Sequence, residues 1–453
     1  MFSYQGFKWK YLGRLLGALA VIVLAWLVIA PTGRYLLRAA WAEGRILARR
    51  RAIVDIVKDS ATDPAVVVKL RLVLAARSFA ADSIDLRAKK SFTTYSPLDR
   101  DTLVLVLSGA YPDRLAAYTW WFPIVGRVPY KGFFDFNAAK NAARDLAAKG
   151  FDVYLRPSPA FSTLGWFNDP LLSTSLHADT LDLANTVIHE LTHNTFYAPG
   201  QAVFNESFAN FVGARGSAWF FRSRGSPAAA DEADARWSDE KVMARFWALL
   251  YHSVDSAFRA HPTDSSARIM ARDSIYRGAR RLLVDSIGPQ LRTIGPRVLE
   301  RVRLDNAALL AHRIYDTDLD LFDAVWAREN GDLRKTVPRI IERARSRPKD
   351  PFGAMRDWLA RPDTTTAFRP EQAAWLRRCS VGVRRREVGM SGSRVEVAGS
   401  RAAVSGSCVA IKSPRGAIKC SAVGMNVPWV HARRSVPGGM RVARGGVSGA
   451  IGN

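Results

Sequence analysis

Leu15 to Ile29 reads LLGALAVIVLAWLVI, an unbroken apolar run preceded by Lys8, Lys10 and Arg14. It offers no polar face, so it does not fit the surface helix of a soluble domain. Its length is at the short limit for a membrane span, which takes about 20 residues, and a cleaved signal peptide has the same profile. Pro31 directly after Ala30 is a poor context for cleavage, and no cysteine is present there for a lipid anchor. Arg34 and Arg38 on the far side blunt the charge asymmetry that would orient the segment. Residues 1–34 are therefore expected to be an uncleaved membrane anchor, with the body periplasmic or otherwise extracytoplasmic; a cleaved signal is the alternative.

Beyond the anchor the spacing predicts helices over 35–60 and 63–82, the second starting at Asp63-Pro64, a capping side chain followed by a first-turn proline. Thr102 to Leu107 (TLVLVL), closed by Ser108-Gly109, reads as a buried strand, and Phe151 to Pro157 as another. Between them Ala138 to Lys149 is a helix stopped at Gly150. From residue 180 the pattern turns helical: 180–197, 203–221, 239–260, 265–285 and much of 300–345. The expected class is α+β, mostly helical, with a small sheet.

Composition changes this picture at one end only. With 48% hydrophobic and 24% charged residues the chain of 453 is ordinary globular protein. The net charge of +25 suggests a nucleic-acid binder until it is located. Residues 377–453 hold fourteen Lys and Arg against Glu387 and Glu396, all three cysteines (Cys379, Cys408, Cys420) and 13 of the 32 glycines. Neither hydrophobic period survives there, and the segment reads as a disordered basic tail or as a frame translated out of register. The body is only mildly basic, no basic patch interleaved with aromatics stands out, and no specific nucleic-acid partner is expected. The cysteine spacings fit no metal pattern, and nothing in the pattern indicates an oligomeric state.

The chemistry is concentrated in Thr186 to Gly213, TVIHELTHNTFYAPGQAVFNESFANFVG. His189-Glu190-Leu191-Thr192-His193 is an H-E-x-x-H motif. Histidines at i and i+4 leave one face of a helix, so both can reach one ion at about 2.0–2.1 Å. The glutamate at i+1 then lies beside the ion, placed to take a proton from water rather than to ligate. Glu206, 13 residues after His193 and beyond the Pro199-Gly200 turn, falls in the first turn of the next amphipathic helix. Two antiparallel helices would bring it to the histidines, giving a His₂Glu zinc site with one position open. Two surface histidines beside solvated carboxylates are the alternative. The fold expectation thus sharpens to a zincin-like helix pair beside the small sheet.

These residues and three further blocks resemble the family of predicted aminopeptidases, bacterial gluzincin-like zinc peptidases usually anchored at the membrane. The blocks are WWFPIVGRVPYKGFF (Trp120 to Phe134), AFSTLGWFNDPLL (Ala160 to Leu172) and FNESFANFVG (Phe204 to Gly213), and the likeness covers roughly residues 35–360. The lipoprotein cysteine with which that family often begins is absent, and nothing in it is similar to the tail.

The reading is therefore three segments: an anchor (1–34), a zinc metallopeptidase domain (35–376, core about 100–222, helical remainder 238–360) and the tail (377–453). His189, His193 and Glu206 are expected to hold Zn²⁺, with Glu190 as general base and peptides as substrates. Tyr130, Tyr197, Tyr251 and His252 are candidates for a second electrophile. Asn205 and Asn210 are candidates to orient Glu206. The STLGWF segment is a candidate edge for pairing with a substrate backbone. Asp169, Asp179 and Asp182 are nominated for a substrate α-amine. Restriction to free N-termini is implied by the resemblance; an endopeptidase, or a binding protein with structural zinc, are the alternatives.

Overall fold

The computed structural model describes residues 4–122, 126–158 and 170–361. The tail, its cysteines, Asp169 and the STLGWF segment lie outside the described residues. Contacts divide the chain into a unit spanning Met1–Ala367 and a second unit, Phe368–Asn453; only the first is described.

Helix α1 (Tyr4–Ile29) carries the apolar run. Its window Tyr11–Ile29 has a mean hydropathy of 2.4 and no buried share, and is the one helix among the described residues long and apolar enough to cross a membrane. Helix α2 (Pro31–Ala48) follows at once, starting on a first-turn proline. The single helix expected over 35–60 is broken. Arg51–Ala52 (β1) pairs antiparallel with Thr94–Ser96 (β2), and a short α3 (Ile53–Lys58) resumes. Ile53 donates its amide to Thr93 O at 3.0 Å and is fully buried, so a neighbouring strand claims the backbone that local spacing assigned to a helix. Helix α4 (Pro64–Phe79) starts as expected, with Asp63 accepting from the Ala65 amide at 2.8 Å.

The main sheet has three antiparallel strands: β3 (Val104–Ala110) lies between β6 (Tyr130–Phe133) and β7 (Asp152–Ser158). A ribbon of β4 (Trp120–Phe122) and β5 (Gly126–Val128) precedes β6 in sequence. Helix α5 (Phe136–Ala148) covers the sheet through Ala139 and Leu146, packed with Leu107, Phe133 and Val153. A Cβ at Gly109 would sit 2.6 Å from Leu146 Cδ2, so the bare Cα there lets the helix close on the central strand. The strand β8 (Leu171–Leu172) adds to β2 in parallel.

The remainder is helical: α6 (Thr180–Thr195), α7 (Ala202–Ser223), α8 (Pro227–Ala260), α9 (Ser265–Arg281), α10 (Pro296–Arg301), α11 (Asn306–Tyr315), α12 (Leu319–Arg328), α13 (Leu333–Ser346) and α14 (Pro351–Ala360). Helix α8 begins twelve residues before the expected position. Its charged opening hides Ala230, Ala233 and Trp237, which are buried. The largest core joins α4, α6, α7, α12 and α13, with Phe322 stacked against Phe208 and Phe211. In α6 Leu183, Val187, Ile188 and Leu191 are fully buried. Each such side chain contributes about 1.5–3 kcal/mol, which fixes the opposite, histidine-bearing face away from that core.

Candidate metal centre

Three local devices set the geometry between α6 and α7. Gly200 adopts φ +74°, the left-handed conformation that glycine takes without Cβ strain, and reverses the chain. Asn205, buried in the first turn of α7, clamps that turn: its Oδ1 accepts from the Ala198 amide at 2.8 Å, and its Nδ2 donates to the Ala198 carbonyl at 2.9 Å. At Gly213 the helices meet so closely that a Cβ would lie 3.1 Å from the Asn185 carbonyl oxygen and 3.2 Å from His189 Cβ.

These devices bring His189, His193 and Glu206 together, their donor atoms all within 4.8 Å. The Nε2 atoms of the two histidines are 3.2 Å apart, and Glu206 Oε2 lies 3.5 Å from His189 Nε2 and 3.7 Å from His193 Nε2. Tetrahedral ligands at bonds of about 2.0–2.2 Å are separated by about 3.3–3.6 Å, so the three donors are spaced as ligands of one such ion. The side chains remain 16%, 15% and 24% exposed, so the group is reachable from solvent. Burial alone would raise the Glu206 carboxyl, but hydrogen bonding and charge from both imidazoles outweigh it and hold the group down at about 2. For His193 burial acts the other way and is overcome by Glu206 and Glu190, leaving its pKa raised. Glu190, the residue between the histidines, is half-buried, and its charge acts on both His193 and Tyr315.

Tyr315 is a further candidate that sequence reasoning missed, coupled by charge to Glu206 and Glu190. It ends α11, and its carbonyl accepts from Asn210 Nδ2 at 3.1 Å and from Ser207 Oγ at 3.2 Å, both on α7. One turn earlier His312 stacks on Trp247 at 4.2 Å, seating the end of α11. Burial and then the charge of Glu206 raise the phenol, against Arg156, whose Nη2 donates to Tyr315 Oη at 3.4 Å. The hydroxyl stays protonated at neutral pH and is a hydrogen-bond donor. Neither Tyr315 nor Arg156 stands in a recognisable spacing with the histidines.

Of the four nominated electrophiles, Tyr130 and Tyr197 are near: the Tyr130 phenol is raised by burial, then by Tyr315, Glu206 and Tyr197. Tyr251 instead lies under the Arg313 guanidinium at 3.6 Å, beside His252, and among the described residues neither touches the His–His–Glu group. The asparagines do not orient Glu206 as expected. Asn205 serves the turn through the Ala198 backbone, and Asn210 donates to the Tyr315 carbonyl. Asp179 and Asp182 both pair with Arg236, at 2.7 and 2.8 Å, and Asp179 also caps α6.

Residues 34–350 match the sequence profile of a family described as "Putative aminopeptidase". The chain belongs to that aminopeptidase family. The matched span covers well over half of the chain and includes α6, α7 and α11, so every residue of the cluster lies within it. No curated protein and no solved structure matches this member of the family.

Proposed function

We propose that the protein is a membrane-anchored, zinc-dependent aminopeptidase. The observation that carries this reading is the His189–His193–Glu206 triangle, whose 3.2–3.7 Å separations suit one small ion while its side chains stay partly exposed to solvent. Two imidazoles and a carboxylate on consecutive antiparallel helices form the ligand set of a gluzincin, and that set suits zinc well. A bound zinc ion would supply Lewis acidity toward the scissile carbonyl and acidity to the attacking water. The chain's own residues do the rest. The Glu190 carboxylate takes one proton from the attacking water as the O–C bond forms. It delivers that proton to the amide nitrogen as the C–N bond breaks, so that a carboxylic acid and an amine leave. The Tyr315 hydroxyl, oriented by Arg156, donates to the carbonyl oxygen as negative charge develops there. Anchoring is supported by the exposed α1 and by its immediate continuation into α2, which buries Ile46 in the body. That arrangement fits an extracytoplasmic peptidase held beside the bilayer.

The test uses the full chain in a neutral detergent with zinc, given peptides in free and N-acetylated forms, beside Glu190→Gln. Cleavage confined to free N-termini and lost in Glu190→Gln is the expected result. Cleavage of acetylated peptides would make the protein an endopeptidase. A folded, zinc-loaded chain that cleaves neither would leave a binding protein with a structural metal.

A further inference from the structure

A cavity of about 630 Å³ lies between α2 and the β6 edge of the main sheet. Five cations line it: Arg34, Arg38 and Arg45 from α2, Arg100 from the loop before β3, and Lys131 from β6. The only carboxylate in its lining, Asp135, is engaged in capping α5 through the Asn137 and Ala138 amides. Arg45 reaches Asp99 at 3.4 Å, but among the described residues no ion pair is made by Arg34, Arg38 or Lys131. The Lys131 ammonium lies 4.4 Å from the Tyr35 ring centroid and 5.2 Å from that of Phe133. Burial lowers its proton affinity, and burial followed by the charge of Arg45 lowers that of Arg100. The cavity thus holds an excess of positive charge that repels itself and that an anion would relieve.

Its place identifies the anion. A Cβ at Gly33 would lie 2.5 Å from Trp26 O and 2.6 Å from Leu27 Cα, so the first turn of α2 is folded hard against the last turn of α1. Arg34 and Arg38 follow this elbow by roughly 5 and 10 Å of helix, comparable with the headgroup layer of about 5–8 Å. Trp41, 72% exposed on the same helix, offers an amphipathic ring of the kind that settles at a membrane interface. Tyr35 and Phe133 supply an apolar floor that a free inorganic ion would not use.

We propose that this cavity is a seat for the phosphate headgroup of an anionic membrane lipid; the inference goes beyond peptide hydrolysis and rests on α1 being a membrane anchor. Clustered arginine and lysine beside a spanning helix attract such headgroups. Because side chains alternate along β6, Lys131 and Phe133 face the cavity while Tyr130 belongs to the opposite face, toward Glu206. Lipid in the seat would hold the strand whose Tyr130 neighbours Glu206 and so set the orientation of the His–His–Glu group to the bilayer.

The full chain, purified in neutral detergent, is mixed with equal amounts of phosphatidylglycerol and phosphatidylcholine and its lipid adducts are read by native mass spectrometry. The expected result is at least a five-fold excess of the phosphatidylglycerol adduct, falling to near parity in Arg38→Ala/Lys131→Ala. Arg38→Lys/Lys131→Arg retains the charge and is expected to restore the preference, which separates charge from folding. Equal adducts in the wild type, or an unaltered preference in the alanine double variant, overturns the proposal. So does displacement of the lipid by millimolar inorganic phosphate, which would make the cavity a free-phosphate site. Flotation on pure phosphatidylcholine vesicles reads the anchor by itself. A chain that floats but shows no headgroup preference keeps the anchor and loses the seat; one that takes phosphatidylglycerol but does not float keeps the seat and loses the anchor.

Discussion

Asn210 donates to the backbone carbonyl of Tyr315 at 3.1 Å, so the helix that carries Glu206 also holds the end of the helix that carries this tyrosine. Tyr315→Phe removes the donor and little else. The expected outcome is a fall in kcat of about 10²–10³, with KM and zinc content near wild type. Asn210→Ala leaves the hydroxyl but frees its backbone, and should give a smaller loss of kcat. Steady-state kinetics beside metal analysis checks both; a Tyr315→Phe enzyme with full kcat removes Tyr315 from the chemistry.

Gly213 and Gly216 both face α6, yet they fail differently when given a methyl. At Gly213 the new Cβ meets Asn185 Oδ1 first, which the amide can turn away, and then the Asn185 carbonyl oxygen at 3.1 Å and His189 Cβ at 3.2 Å, which yield only if the histidine helix shifts by a few tenths of an ångström. At Gly216 it meets Ile188 Cγ2 at 2.9 Å and Ile84 Cδ1 at 3.0 Å, side-chain atoms deep in the core. Each alanine should cost about 1–3 kcal/mol in overpacking. Gly213→Ala should in addition lower zinc affinity, while Gly216→Ala should lower Tm with zinc affinity retained. Equal affinity in the two variants would refute this division.

Protonation should compete with the metal through His193. Its raised pKa means that the imidazolium persists above pH 6.5, so metal affinity is expected to fall as pH drops through that raised value. In the metal-free protein the signs separate. His193 adds stability that is complete below its unfolded value near 6.5 and is lost as pH rises through its higher folded value. Glu206 adds stability that is present above about 4.5 and is lost as pH falls toward about 2. The apo chain should therefore gain most from this group between about pH 4.5 and 6.5, and zinc should reverse the trend above it. Chelator competition and thermal melts with and without zinc measure the two effects.

Glu240 on α8 is pushed up to about 8 by burial, then by Asp316 and Asp182, and among the described residues it makes no ion pair. Its folded pKa exceeds the unfolded one, so its contribution is fully present below about pH 4.5 and is lost as pH rises through about 8. Glu240→Gln should be nearly neutral at pH 5. At pH 8.5 it should raise Tm by about 2–4 °C, the response to roughly 1 kcal/mol. An unchanged Tm at pH 8.5 would show that the carboxylate is better solvated than its surroundings suggest.

The candidate metal ligands were legible because a helix repeats every 3.6 residues, so His189 and His193 share a face on spacing alone. Glu206 followed from the Pro199-Gly200 turn. Tyr315 was not legible: it lies more than a hundred residues downstream of Glu206, on a helix whose pattern NAALLAHRIY is that of any amphipathic segment. Folding alone joins it to the site. The strands beyond β3 and β7 are two to four residues long, too short for an alternation to register. Asn205 was expected to orient Glu206, yet α7 is buried on nearly every side and the Asn205 amide serves the Ala198 backbone instead.

Asn205 gives the sharpest test of how the fold positions the site. Its amide satisfies both the amide and the carbonyl of Ala198, all in a buried setting. Asn205→Ala strands both backbone groups, at about 1–3 kcal/mol for each one left unpaired. Asn205→Asp keeps the acceptor for the Ala198 amide but sets a carboxylate against the Ala198 carbonyl, and should be at least as damaging. Because the turn controls where α7 starts, either change should also displace Glu206 from the histidines. Zinc affinity is then expected to fall while Glu206 itself is intact. If Asn205→Ala lowers Tm but binds zinc as tightly as wild type, the helix pair is positioned by Gly213 and the core, and the clamp serves stability alone.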